Sequence, residues 1–127
     1  ADADIKADVN SQDIFSMTYS DDCFDAAICF RLLHHFSEHE DQLALINELC
    51  RVSSKYVVIS YFSSYSVTSL RRKLRKFVTG KAVKQNPNSL AQLQSMFNRN
   101  DFSLFGTVKR SAILHSLQLA VFVNCQK

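Results

Sequence analysis

The clearest pattern along the chain is an apolar run, a stripe at helical spacing and a second apolar run, all within residues 24–62. Phe24 to Phe30 is nearly continuous apolar, broken by Asp25, which suits a central strand covered on both faces. Leu43, Ile46, Leu49 and Cys50 then recur three and four residues apart, the signature of one buried helix face ending near Val52. Ser37 and Glu40 stand at the spacing of a capping box, so the helix is expected to begin there. Tyr56 to Phe62 is rich in β-branched and aromatic residues and predicts a strand. Strand, helix and strand in this order favour a parallel, right-handed crossover unit over a hairpin.

Outside this unit the signals are shorter. Ile5 to Val9, followed by the turn formers Asn10, Ser11 and Asp13, predicts a brief strand leaving a sheet. Residues 63–87 turn Ser-rich and then basic, with Gly80 and Pro87 as boundaries, and read as an insertion. Asn88 or Ser89 caps a helix carrying Leu90, Leu93, Met96 and Phe97, which Asn100 and Asp101 end. Phe102 to Val108 and Leu114 to Val123 predict two strands, and their short connection implies antiparallel pairing at a sheet edge.

The 127 residues, 46% of them hydrophobic, suit a single domain, 1–127. No apolar run approaches the roughly 18 residues of a membrane span, and the acidic start does not resemble a signal peptide. Cys23, Cys29, Cys50 and Cys125 fit neither a redox pair nor a zinc framework, which points to buried, reduced thiols and a cytoplasmic setting. The net charge of +3 conceals a polar chain. Residues 1–50 carry 11 acids against Lys6 and Arg31, whereas residues 51–127 carry 13 bases against Asp101. Such an imbalance concerns surfaces and partners rather than fold.

The stretch from Asp21 through Phe24-Asp25 to Leu33-His34-His35-Phe36 resembles the fourth-strand signature of S-adenosylmethionine-dependent methyltransferases of the Rossmann-like class I. Glu48-Leu49-Cys50-Arg51-Val52, the strand end Ile59-Ser60 and the turn Arg99-Asn100-Asp101-Phe102 continue the likeness over nearly all of the chain. Ser53-Ser54-Lys55-Tyr56 replaces the family's Lys-Pro-Gly-Gly turn, and Asn100-Asp101 its Ala-Gly. The resemblance implies an α/β fold: a partial methyltransferase sheet, mostly parallel, with an antiparallel edge strand and helices on both faces. It also implies S-adenosylmethionine as cofactor.

By the same resemblance, Asp8 would accept from the adenine amino group with Val9 beside the ring, although Asp8 also reads as a turn residue. Phe30 and Arg31 would line the methionine end; Arg31 would pair with a cofactor or substrate carboxylate, or with a nearby Asp. His34 and His35 straddle a strand end, so one ring should point inward and one outward. Either a catalytic role, taking a proton from the methyl acceptor, or simple packing fits them. His35, His39 and Asp41 superficially resemble a metal cluster, but a helix start whose dipole favours acids explains these acidic positions, so no metal is expected.

The family's Gly-rich turn and ribose-holding acid are missing, since the chain has Gly80 and Gly106 and neither follows an early strand. The first two strands are therefore expected in a longer parent chain, on a separate fragment, or lost. The fourth strand pairs with the first in this family, so Phe24 to Phe30 should have an unpaired side that invites another chain. The chain alone is expected to bind the cofactor weakly and show no turnover. The leading reading is methyl transfer to a small-molecule or lipid-like acceptor; the alternative is a non-catalytic interaction module. A nucleic-acid partner ranks third, because Arg71 to Lys76 is a short basic tract without a reading motif. That tract lies on a predicted amphipathic helix, 66–78, with Val67, Leu70, Leu74, Phe77 and Val78 as its apolar stripe. Together with the absence of acids from 49 to 100, it suggests an anionic or lipid-linked acceptor and peripheral membrane contact.

Overall fold

A computed structural model describes residues 4–62, 74, 90–109 and 117–126. Strand β1 (Phe24–Cys29) leads through a 3-10 turn (Leu33–His35) to helix α1 (His39–Val52) and strand β2 (Ser53–Phe62). Helix α2 (Leu90–Asn98) and strands β3 (Phe102–Lys109) and β4 (Leu117–Asn124) follow. The sheet order is β1-β2-β4-β3. β1 and β2 pair in parallel, as the strand-helix-strand pattern requires, with Cys29 opposite Ile59. β4 inserts between β2 and β3, antiparallel to both, so the sheet is mixed and one of its three pairings is parallel.

The core lies on one face of this sheet. Leu45, Ile46 and Leu49 from α1 and Leu93, Met96 and Phe97 from α2 pack with Val57 and Ile59 of β2 and Ala120 and Phe122 of β4. Both described helices therefore share that face, and none covers the other among the described residues. This corrects the expectation that β1 is covered on both sides: Ile28 is 74% exposed and Phe24 41%. The apolar run reflects a position at the sheet edge, where α1 covers Cys29 and nothing described covers Ile28.

Two further expectations change. Residues 5–9 form no strand, and Ile5 and Val9 are exposed. A strand persists when a neighbour satisfies its backbone groups, and residues 5–9 pair with no described strand. The capping box is also absent. α1 starts at His39 with Glu38 as N-cap and no side-chain cap bond, and the Ser37 hydroxyl is turned to Glu38 Oε1 at 3.4 Å. Instead the buried Gln42 amide donates to the Phe36 carbonyl at 2.7 Å, tying the helix to the turn before it. Glu40 and Asp41 keep the acids expected in a first turn.

α1 passes into β2 without a loop. The hydroxyl of fully buried Ser53 donates to the Leu49 carbonyl at 2.6 Å, so the strand begins three residues before the β-branched run. Of the four cysteines, Cys29 and Cys50 are buried as expected, whereas Cys23 and Cys125 are exposed; all are free. Apart from exposed Leu74, the predicted basic helix lies outside the described residues, as do the candidate caps Asn88 and Ser89.

Candidate functional site

In a parallel α/β unit, ligands bind outside the carboxyl ends of the strands, where the chain leaves the sheet and backbone groups are free. Here that rim is built by the residues following β1 and by the end of β2. Directly after Phe30 the chain turns sharply, because Arg31 adopts a left-handed conformation with φ 56°. For a side chain with a Cβ this conformation is unfavourable by roughly 1–2 kcal/mol. It is held by a hydrogen bond: the Arg31 backbone N–H donates to the Ser60 hydroxyl oxygen at 2.6 Å. Ser60 belongs to β2 and is 2% exposed.

The turn brings aromatic groups together. The rings of His34 and His35 lie 4.2 Å apart, tilted by 36°, and His34 meets Phe62 edge-on at 4.7 Å. A 3-10 turn, rather than an extended strand, carries the two histidines, so their rings lie side by side, while the expected split into an inward and an outward ring is kept in their burial. His34 is half-buried and His35 exposed. Phe30 is 57% exposed, and the exposed Arg31 side chain forms no ion pair among the described residues. Behind this rim the Tyr61 hydroxyl donates to Gln118 Oε1 at 2.7 Å, both side chains buried. Burial pushes this phenol above its ordinary value of 10, so it remains a donor.

Phe30, Arg31, His34 and His35 are therefore gathered at one rim, together with Ser60 and Phe62, which were not anticipated as site residues. A single serine within the apolar and aromatic run Tyr56 to Phe62 was the available signal for Ser60. Asp8 and Val9 are not brought into the sheet, and both are exposed. Among the described residues no group of three or more His, Cys, Asp and Glu is placed to hold a metal ion. A surface depression of about 380 Å³ lies at the opposite end of the strands, lined in part by Asp21, Asp22, Arg99 and Asp101. It faces the amino ends of β1 and β2, away from the rim where parallel strands expose ligand-binding backbone.

The model of a methyltransferase domain matches residues 1–60, ending at Ser60 itself. That match covers just under half of the 127 residues. Solved structures share the domain's fold. Magnesium protoporphyrin IX methyltransferase from Synechocystis, crystallised with S-adenosylhomocysteine, superposes with a TM-score of 0.71 at 19% identity, over 89% of this chain and 49% of that one. A methyltransferase from Methanosarcina mazei gives 0.70 at 14% identity, over 94% and 68%. A possible histamine N-methyltransferase from Thermotoga maritima gives 0.66 at 12%, over 87% and 61%. A search of the curated proteins matches nothing. The chain spans about half the length of the Synechocystis enzyme. No described helix is long and apolar enough to cross a membrane.

Proposed function

We propose that this chain belongs to the methyltransferases and forms the acceptor-side part of an enzyme that transfers a methyl group from S-adenosylmethionine to a small-molecule or lipid-like acceptor. The carrying observation is the rim itself: a strained turn at Arg31, fixed by Ser60, sets a cation and a group of aromatic rings at the carboxyl ends of two parallel strands. One end of the cofactor suits these residues. The Arg31 guanidinium, without an ion pair among the described residues, matches a methionine carboxylate, and Phe30 offers an exposed apolar surface beside it. The adenine end has less support, because Asp8 and Val9 are not held by a strand. Gly106, the one glycine among the described residues, lies within β3 and does not adjoin this rim.

When bound, S-adenosylmethionine supplies a sulfonium methyl group that is already electrophilic. The work left to this chain is to position the acceptor, exclude water and move a proton. His35, exposed at the rim, would take the proton that a hydroxyl acceptor loses on methylation. His34, packed against Phe62 and His35, holds that ring in place. The segment 63–87 follows β2 directly, and its basic sequence suits an anionic acceptor.

A second reading, a non-catalytic interaction module, is favoured by one observation. β1 is an edge strand whose outer side pairs with no described strand, and Ile28 beside it is exposed. Such an edge takes either an N-terminal half of the fold or a separate pairing chain. Titration of S-adenosylhomocysteine into the full-length protein separates the readings. Saturable binding is expected of the enzyme, and none would leave the module.

A further inference from the structure

We infer that Ser60 is a positioning residue that aims Arg31 at the cofactor carboxylate; this rests on the methyltransferase reading above. Arg31 directly follows the exposed Phe30, and in extended backbone it would simply continue the strand. Its left-handed φ of 56° turns the chain out of the sheet at the point where ligand-facing backbone begins. Nothing local favours that conformation, since arginine, unlike glycine or asparagine, gains nothing there. The compensation comes from 29 positions away, where the Ser60 oxygen accepts the Arg31 N–H at 2.6 Å.

Ser60 has no other reason to be polar. It is 2% exposed within Val57-Val58-Ile59-Ser60-Tyr61-Phe62, and its one side-chain hydrogen bond among the described residues is to Arg31. A buried hydroxyl left without a partner is unfavourable, so its presence in an apolar strand is explained by this contact. Ser60 touches the backbone of Arg31 and leaves the guanidinium free. It thereby fixes where the cation sits without neutralising it.

The test uses three variants of the full-length protein, Ser60→Ala, Ser60→Thr and Arg31→Gly, with two ligands. S-adenosylhomocysteine carries the amino-acid carboxylate; 5′-methylthioadenosine lacks it. Ser60→Ala is expected to speed hydrogen exchange at the Arg31 amide and to weaken S-adenosylhomocysteine binding by about tenfold, the loss typical of one hydrogen bond. Binding of 5′-methylthioadenosine should not change. Ser60→Thr, which keeps the oxygen, should restore both properties. Arg31→Gly keeps the turn without the cation and should show the same ligand split as Ser60→Ala. Unchanged affinity for S-adenosylhomocysteine in Ser60→Ala, or an equal loss for both ligands, overturns the role of Ser60. Failure of the wild-type protein to bind either ligand overturns the methyltransferase reading instead.

Discussion

Arg51, near the end of α1, donates from Nη1 to the carboxylate of Asp21 at 2.8 Å across 30 positions of sequence. The same guanidinium donates to the Tyr19 and Met17 carbonyls at 2.8 and 3.0 Å and grips Glu48 through Nε and Nη2. Glu48 in turn accepts from the Met17 N–H. The planar fork thus clasps the segment that enters β1 onto the helix that leaves it. Arg51→Met is expected to lower the thermal midpoint and to raise exchange at the Met17 amide. Arg51→Lys should recover only part of this, because one ammonium cannot reproduce the directed set of contacts. Equal midpoints for the wild-type and Met proteins would remove the clasp from the account of stability.

The clasp also makes stability depend on acid. The hydrogen bond from Arg51, and then that from the Met17 N–H, hold the Glu48 carboxyl below its ordinary value of 4.5, although burial opposes them. A depressed folded value means that the contribution is full above the unfolded pKa and disappears as pH falls through the folded one. Helical signal followed below pH 4.5 should therefore fall more steeply in the wild-type protein than in Glu48→Gln. Parallel acid limbs would count against it.

Burial separates the four thiols into two classes. It pushes Cys29 up to about 11 and Cys50 up to about 12, whereas Cys23 and Cys125 are exposed. At pH 8 an alkylating reagent should label Cys23 and Cys125 in the native protein and all four after denaturation, since the thiolate is the reactive form. Rapid native labelling of Cys50 would contradict its burial on the inner face of α1.

Phe97 is fully buried and stacks on Phe122, centroids 3.8 Å apart and planes 10° from parallel. Phe97→Ala removes the ring that joins α2 to β4 and should lower unfolding free energy by about 3–5 kcal/mol. Phe97→Leu should lose less, because it leaves a smaller cavity. Denaturant melts giving equal losses would show that the site does not depend on filled volume.

The basic tract Arg71 to Lys76 offers a test of the acceptor. Each cation near an anionic surface contributes on the order of 1 kcal/mol. The full-length protein should co-sediment with anionic vesicles at low salt, release at high salt and ignore neutral vesicles. Equal recovery with both vesicle types would leave these charges a role in solubility alone.

The sequence by itself determined the parallel strand-helix-strand unit, α2 and the antiparallel pair, because each rests on local periodicity. Leu43 to Cys50 can form one apolar stripe only as a helix, and Tyr56 to Phe62 packs best as a strand. The family resemblance named Phe30, Arg31, His34 and His35 as candidates, and they lie near one another because they leave one strand together. Tertiary structure decided what depends on distant partners. Ile28 is exposed because the helices packed on the opposite face, which no run of apolar residues reveals. The Ser37 hydroxyl turns to Glu38 and does not cap α1, and the histidine rings lie together because a 3-10 turn took the place of an extended end. Ser60 and Arg31 lie 29 positions apart, and nothing in either neighbourhood signals the other. Their bond exists because pairing β1 with β2 sets Cys29 opposite Ile59, so that the residues just beyond must meet.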